Sequence, residues 1–543
     1  METQIMTNFK RVICLTLSLI IGFSVFFCLS GVTSAAYPSD IPIIYMHGMG
    51  SPLVIKHEDG SVEEAGSMAV DGDAIISKLT DNSDIITKAF FTQDWSDFCD
   101  LVEEIMVSSF GSLALGPDGM PVDGSVSSED YTLEYVQQRY YNYDENLNKY
   151  RFYYDWRLDP MDNMERLHDF AEKLLQVTGS DKYAICGRCE GACLALAYWE
   201  TYHDPRISDI IFYASAAKGA IPIGESFSGR MKVDPDAVER FVYEADFGIN
   251  YELNENITFT DETLNQILRT VSDMYGLDYA CWAVNNVYGQ IYKSVTPRAL
   301  KQTFGTFPGF WAMCDDEYFE DAKKVMFGGE EEKYSVFIDK IDNYHYNIMN
   351  RAEEIIQNAV DSGVEVSNVV KYGFQSYPVS KSSNLPSDVV CRVDQASFGA
   401  TCTEIGKKLS DSHIVKSVET GNSSYISPDL TIDASTSILK DTTWFIKNLK
   451  HEEFPDSVDA LMFEIVRGKN LNADKCEKFS RYLYYDRDND QLVSYKSNEN
   501  KNKLDDYVEV NSNDFFRKIK PLFRVFYSII VLVTKLLTLP ART

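Results

Sequence analysis

The chain has 543 residues, of which 45% are apolar, 13% aromatic and 24% charged. These values are typical of globular proteins and exclude collagen, coiled coil and wholesale disorder. The formal net charge of −31 would repel the phosphates of nucleic acid, so we expect neither DNA nor RNA as a partner.

The first 36 residues have the pattern of a secretory signal peptide. Lys10 and Arg11 precede an apolar run at 12–29, and small residues follow at 30–36. This order of charge, apolar run and A-x-A-like site predicts cleavage and export to the cell surface or the medium. A retained membrane anchor is the alternative, because the run is nearly as long as a membrane-spanning helix.

Short apolar segments alternate with amphipathic ones in the next part of the chain. The pattern predicts helices that begin near residues 162 and 192. It predicts strands at 41–46, 151–156, 183–186, 209–214 and 368–372. Strands that alternate with helices indicate an α/β fold with a mainly parallel sheet covered on both faces.

Two segments depart from this alternation. Residues 225–365 are aromatic, acidic and helical in pattern, which predicts a mostly helical cap inserted into a domain that spans 37–467. Residues 468–513 are rich in Asn, Asp and Lys, and they are interpreted as a polar extension.

The last segment, 514–543, is basic and apolar. Its apolar residues are interrupted by Arg517, Lys518, Lys520, Arg524 and Lys535. The uncharged stretch at 525–534 is too short to cross a bilayer as a helix. The pattern therefore predicts a basic amphipathic helix that lies on a membrane surface, with a helix docked on the protein itself as the alternative.

One motif contains a candidate catalytic residue. Residues 183–192 read YAICGRCEGA, so a predicted strand runs through G-x-C-x-G directly into a predicted helix. This is the spacing of a nucleophile elbow, in which two glycines let the strand and the helix pass closely around a sharp turn. The motif predicts that Cys189 is a nucleophile; the alternative is a small buried residue in a tight turn.

A cysteine nucleophile needs a base, and the base needs an orienting acid, in the chain order nucleophile, acid, histidine. Of the seven histidines, His413 and His451 follow the elbow outside the predicted cap at a suitable distance. We favour His451, because it stands between a predicted last strand at 443–448 and a predicted helix. Asp388 and Asp394 are both candidates for the acid.

The rest of the sequence gives no indication of a disulfide scaffold, a metal site or a cofactor. Nine cysteines remain after signal cleavage, an odd number that does not suggest a disulfide scaffold. No C-x-x-C pair has a matching His or Cys pair, so we expect no zinc site. No nucleotide or flavin motif is present, and we expect no cofactor.

Several segments together resemble the lecithin:cholesterol acyltransferase family, which includes lysosomal phospholipases. The most specific is YDWRLDP at 154–160, similar to the family's YDWRL-x-P signature and about 30 residues before the elbow. The resemblance spans 41–466. Its other segments are IIYMHGMGSPL at 43–53, TFPGFW at 306–311, SDVV at 387–390, and His451 with its following helix.

This resemblance implies an α/β-hydrolase fold and a triad of Cys189, Asp388 and His451. It also implies an oxyanion hole formed by the backbone N–H groups of Met49 and Glu190. The family's nucleophile is serine, so Cys189 is a departure, although a similar G-x-C-x-G elbow occurs in dienelactone-hydrolase-like members of the fold.

The implied activity is hydrolysis of acyl esters, or transfer of the acyl group to another alcohol, with lipid esters as substrates. Two alternatives remain open at the level of sequence. The first is a catalytically inactive hydrolase-like protein that acts as a surface binding module. The second is a cysteine peptidase or amidase, which has little support beyond the cysteine itself.

Overall fold

The computed structural model describes residues 41–50, 53–57, 61–66, 72–92, 94–127, 143–144, 148–244, 250–254, 257–260 and 276–513. The predicted signal peptide at 1–36 and the predicted helix at 514–543 lie outside these ranges. Within them, no helix has both the length and the apolar character needed to span a bilayer.

Sixteen strands occur in the described residues. They are β1 (Ile43–Met46), β2 (Leu53–Lys56), β3 (Val62–Gly66), β4 (Ser125–Ser127), β5 (Tyr143–Asp144), β6 (Lys149–Phe152), β7 (Tyr183–Arg188), β8 (Ile207–Tyr213), β9 (Asn250–Asn254), β10 (Ile257–Thr260), β11 (Glu365–Tyr372), β12 (Thr401–Cys402), β13 (Ile432–Asp433), β14 (Thr443–Lys447), β15 (Tyr482–Asp486) and β16 (Gln491–Ser494).

Sixteen α-helices accompany these strands in the same ranges. They are α1 (Gly72–Asp81), α2 (Ser83–Thr92), α3 (Ser96–Phe110), α4 (Met164–Thr178), α5 (Gly191–Tyr202), α6 (Ile223–Phe227), α7 (Pro235–Glu244), α8 (Gly276–Lys301), α9 (Pro308–Trp311), α10 (Asp316–Phe327), α11 (Ser335–Asn347), α12 (Ala352–Asp361), α13 (Val393–Ala396), α14 (Asp411–Glu419), α15 (Asp456–Arg467) and α16 (Lys503–Asn513).

The centre of the protein is a nine-stranded sheet in the order β16-β15-β14-β11-β8-β7-β1-β6-β5. Its inner strands pair in parallel, and only the edge strands β5 and β16 pair antiparallel. Helices cover both faces. The prediction of an α/β fold with a mainly parallel sheet is therefore confirmed.

Alternate residues of each strand face opposite sides of this sheet. In β1, Ile44 and Met46 join the core beneath α4 and α5, whereas Ile43 and Tyr45 join the core beneath α15. Because both faces are buried, strands such as β7 are apolar along most of their length. The strands were predicted from continuous apolar runs, and such runs are expected where both faces of a strand are buried.

The segment predicted as a cap, 225–365, is mostly helical in its described part, but it contains two features that were not predicted. β9 and β10 form an antiparallel hairpin. The last helix of the segment, α12, packs on α5 and β11, so it covers the sheet. Both strand sequences of the hairpin, NYELN and ITFT, alternate polar and apolar residues, but at five and four residues they are too short to stand out within a segment that is otherwise helical in pattern.

The segment predicted as a polar extension, 468–513, completes one edge of the sheet. β15 pairs in parallel with β14, and β16 turns back against β15. The buried ammonium of Lys447 on β14 contacts Asp429 Oδ2 at 3.0 Å, Asp505 Oδ1 at 2.8 Å and the Tyr495 hydroxyl at 2.9 Å. This cluster fastens the segment, including α16, to the sheet.

Candidate active site

The candidate site lies at the carboxyl ends of the parallel strands, which meet at one edge of the sheet. Cys189 stands between the end of β7 and the start of α5, with a left-handed φ of 54°. A Cβ on Gly187 would overlap the Gly191 carbonyl, and a Cβ on Gly191 would overlap the Met46 carbonyl. Both glycines of the motif are therefore required for the tight passage of strand, turn and helix.

The turn after β1 lies directly over Cys189. A Cβ on Gly48 would come within 2.7 Å of the Cys189 Cβ and 3.0 Å of its sulfur. The Tyr154 hydroxyl, from the YDWRLDP segment, donates to the His47 carbonyl at 2.5 Å and holds this turn. Met49 is half-buried in the same turn and packs on the core.

His47 itself is a structural part of the turn. Its Nδ1 donates to the Gly48 carbonyl at 2.5 Å. Burial lowers the pKa of His47 to about 4, so the ring is neutral at physiological pH. Because the ring is held by a local hydrogen bond and its low pKa makes it a weak base, we assign His47 no proton-transfer role.

His451 and Asp388 form a buried acid–base pair. His451 Nδ1 donates to Asp388 Oδ2 at 2.7 Å, and the backbone N–H of His451 donates to the Asp388 carbonyl at 2.8 Å. Asp388 Oδ1 accepts the N–H groups of Val390 at 3.0 Å and Cys391 at 2.7 Å. Each side chain of the pair is 1% exposed, so this hydrogen bond is shielded from water.

The structure brings Cys189 against this pair. The Cys189 thiol lies beside His451, whose buried Nε2 makes no hydrogen bond to any other side chain or backbone group of the described residues. Burial opposes ionisation of the thiol, but His451, Arg188 and the Glu190 N–H outweigh it, so the pKa of Cys189 lies below its usual value. Burial also opposes protonation of His451, but Asp388 and the sulfur outweigh it and raise the pKa of the ring. The two groups therefore favour a thiolate–imidazolium pair.

The other candidates for the acid and the base contact residues outside this group. Asp394 pairs with Arg392, whose Nε donates to it at 3.0 Å. His413 Nε2 is 2.7 Å from Asp433 Oδ2. Neither residue joins the group around Cys189, so the geometry decides between the sequence candidates in favour of Asp388 and His451.

Three ionisable side chains at the site, those of Glu190, Arg188 and Lys371, were not predicted to contribute to it; of Glu190 only the backbone N–H was predicted to do so. The Glu190 side chain is wholly buried, and burial raises the pKa of its carboxyl well above the usual value. Arg188 and Lys371 are buried beside the His451 loop. A signal for Lys371 was present, because a lysine within the apolar strand sequence VVKY is unusual for a buried parallel strand.

Asp388, Cys391 and His451 offer three possible metal ligands within 4.8 Å of one another. However, Asp388 Oδ2 and His451 Nδ1 are bonded to each other, and Asp388 Oδ1 already accepts two N–H groups. A metal would have to break these bonds. The donor set therefore fits an acid–base pair better than a metal site.

No protein-family model matches the chain, and no curated protein matches it in sequence. Among solved structures, it is similar to a chain described as "The crystal structure of Tle4-Tli4 complex". The two chains are 10% identical with a TM-score of 0.24, over 63% of this chain and 75% of that one. A similarity at this level carries no argument about the function of this protein.

Proposed function

We propose that the protein is an exported enzyme of the α/β-hydrolase class, either a carboxylic-ester hydrolase or an O-acyltransferase acting on lipid esters. The observation that carries this proposal is that Cys189, at a strand–turn–helix elbow, lies beside the buried and hydrogen-bonded pair of His451 and Asp388. Such a pair beside a thiol is the arrangement by which a nucleophile is activated and its base is oriented.

In the proposed reaction the Cys189 thiolate attacks the ester carbonyl carbon. The bond to the leaving alcohol breaks, His451 gives that alcohol a proton, and the acyl group remains on sulfur as a thioester. His451 then takes a proton from water or a second alcohol, which attacks the thioester and releases the thiolate. Asp388 orients the ring, and the N–H groups of Met49 and Glu190 stabilise the oxyanion.

The YDWRLDP segment supports the elbow from one side. Arg157 Nε donates to Asp155 Oδ1 at 3.0 Å and its Nη2 donates to Asp155 Oδ2 at 2.8 Å, in a wholly buried bidentate pair. A Cβ on Gly309 of α9 would overlap the Trp156 carbonyl and would lie 2.6 Å from Glu190 Oε1. We therefore interpret the segment as a rigid support that packs α9 against the elbow.

The lipid class of the substrate rests on the resemblance of this segment and its neighbours to the lecithin:cholesterol acyltransferase family. Export rests on the signal pattern at 1–36, and contact with a membrane rests on the basic residues of 514–543. A membrane-bound tail would bring the site close to lipid esters.

Turnover of p-nitrophenyl acyl esters tests the proposal. We expect Cys189→Ala to abolish turnover and Asp388→Asn to reduce it by several orders of magnitude, since the wrong histidine tautomer is then favoured. Cys186→Ala is the matched control, because Cys186 is equally buried three residues earlier but faces the other core. Full activity in Cys189→Ala would remove the basis of the proposal.

Phospholipid vesicles with an added alcohol separate the two activities. Released fatty acid would indicate hydrolysis, and a new ester of the added alcohol would indicate transfer. Both products depend on the same thioester, so we expect His451→Ala to remove both.

A second candidate is a hydrolase-like binding module without catalysis. Cys189 and His451 are each only 1% exposed, which favours this candidate because a substrate cannot reach the sulfur without movement of the surrounding residues. A thiol-directed acyl probe distinguishes the two. Labelling of Cys189 that requires His451 supports the enzyme, and absence of labelling supports the binding module.

A further inference from the structure

Two buried cations hold the loop that carries His451. Arg188, the last residue of β7, donates from Nη2 to the His451 carbonyl at 2.8 Å. Lys371 of β11 donates from Nζ to the carbonyls of Lys450 at 3.2 Å, His451 at 3.0 Å and Glu453 at 2.6 Å. Arg188 is 5% exposed and Lys371 is 1% exposed. The loop is therefore fixed through its backbone carbonyls.

These cations are stabilised by carbonyls and aromatic rings. No carboxylate in the described part of the chain forms an ion pair with either of them. The Phe454 ring lies 3.7 Å from Arg188 Cζ and 4.9 Å from Lys371 Nζ, and the Tyr213 ring lies 4.6 Å from Lys371 Nζ. A buried charge without a counter-ion is costly, so the guanidinium of Arg188 beside a candidate nucleophile calls for a functional explanation.

Arg188 precedes Cys189 in the chain, and its charge favours the thiolate form of the sulfur. Glu190, which follows Cys189, is kept neutral because burial raises the pKa of its carboxyl well above the usual value. The titratable groups around the sulfur are Arg188, Glu190, Tyr154, Cys193, Cys391 and His451, and His451 is paired with the carboxylate of Asp388. Burial also raises the pKa values of Tyr154, Cys193 and Cys391, so these groups add no charge.

We propose that Arg188 and Lys371 are positioning residues that fix the His451 loop by its carbonyls, and that Arg188 supplies a buried positive charge that keeps Cys189 as a thiolate. This inference rests on the proposed role of Cys189 as the nucleophile. Burial lowers the pKa of Lys371 to about 7, so the charge of Lys371 decreases as pH rises through neutrality. The sequence R-C-E of the elbow thus acts as cation, nucleophile and neutral acid.

The test is the rate at which iodoacetamide alkylates Cys189 in the full chain, followed by peptide mass spectrometry from pH 5 to pH 9. In Arg188→Met we expect the midpoint of this profile to rise. Each unit of increase slows alkylation at low pH about tenfold, while the rates converge at high pH. Arg188→Lys keeps the charge and should recover most of the wild-type midpoint.

Arg481→Met is the matched control. Arg481 is also buried, donates to the Thr443 carbonyl and lies over the Tyr425 ring, but it lies away from the elbow. We expect its substitution to leave the midpoint unchanged. A folded Arg188→Met variant with the wild-type midpoint would overturn the inference.

A second variant, Phe454→Leu, keeps the inference testable if Arg188→Met fails to fold. Phe454 is 43% exposed, so Phe454→Leu leaves the core intact while it admits water to Arg188. We expect a smaller rise of the same midpoint, and no rise would overturn the inference. Because alkylation does not require ester turnover, loss of the proposed function would appear separately, as absent turnover with an informative alkylation profile.

Discussion

At the scale of single residues, Cys189 combines a left-handed backbone with a sulfur that faces the turn after β1. A residue with a side chain adopts this backbone conformation only where its surroundings impose it. Here the neighbouring glycines and the start of α5 impose it. The position of the sulfur therefore depends on atoms that belong to other parts of the chain.

Gly48→Ala tests this dependence. The new Cβ would come within 2.7 Å of the Cys189 Cβ, so the turn or the sulfur must move. We expect ester turnover to fall by at least about tenfold, because displacement of a reacting group is costly. Gly289→Ala is the control: a Cβ there meets nothing within 4 Å, and the helix should gain about 0.5–1 kcal/mol. Unchanged kcat in Gly48→Ala would contradict the expected displacement.

Glu190→Gln tests the neutral state of the buried acid. Because the folded-state pKa of Glu190 is raised, the folded protein keeps a proton that the unfolded chain releases, and this lowers stability as pH rises above the unfolded value. Glutamine does not titrate. We expect its advantage in urea unfolding to grow by about 1.4 kcal/mol per pH unit above pH 4.5, until the carboxyl ionises.

The control for that measurement is Glu332→Gln, because Glu332 is exposed. It should show the same stability as the wild type at pH 4.5 and pH 7.5. An equal loss of stability at both pH values in Glu190→Gln would show that the carboxyl has another role.

At the scale of elements, the edge of the sheet formed by β14, β15 and β16 depends on the cluster around Lys447. We expect Lys447→Met to lower the free energy of unfolding by about 3–5 kcal/mol, because it leaves the mostly buried Asp429 without its counter-ion. Urea unfolding measures this change. Lys440→Met, at an exposed position, should stay within about 0.5 kcal/mol of the wild type. Restoration of stability in Lys447→Met with Asp429→Asn would support the charge as the cause.

The elements differ in how far the sequence could predict them. β7 and β8 were predicted to within two residues at each end because both of their faces are buried. β6 was predicted to extend to residue 156, but it ends at Phe152, since the Asp155–Arg157 ion pair turns the apolar run away from the sheet. β15 was missed because charged residues follow its short sequence, YLYYD.

The candidate site, too, could be predicted only in part from the sequence. Cys189 and His451 could be selected from their places beside strands and helices. Asp388 could not be separated from Asp394 by spacing, because the difference lies in the two N–H groups that Asp388 accepts and in its bond to His451. Such contacts join distant parts of the chain and leave no periodic pattern.

At the scale of the whole molecule, a net charge of −31 opposes approach to anionic lipid. We therefore expect binding to anionic phosphatidylglycerol vesicles to depend on the basic tail. Substitution of four tail residues by Gln in the full chain should weaken binding at low salt more than a hundredfold, at about 1 kcal/mol for each charge. The four residues are Arg517, Lys518, Lys520 and Arg524.

A control with the same change of net charge replaces exposed lysines elsewhere. These are Lys407, Lys408, Lys416 and Lys475, all on the described surface. If this control weakens vesicle binding as much as the tail variant, net charge determines binding and the tail has no special part. Vesicle sedimentation at two salt concentrations measures both variants.

The burial of Cys189 beneath the turn after β1 also bears on oxidation. Peroxide normally attacks a cysteine thiolate before other cysteines. A cysteine that is overoxidised to the sulfinic or sulfonic acid is not reduced back. Here the sulfur is 1% exposed, and seven of the nine described cysteines are buried. The resting protein should therefore tolerate peroxide. Binding of an acyl compound should expose the sulfur and raise the sensitivity of the protein to peroxide. The rate of inactivation by peroxide would therefore report how much of the time the sulfur is exposed to solvent.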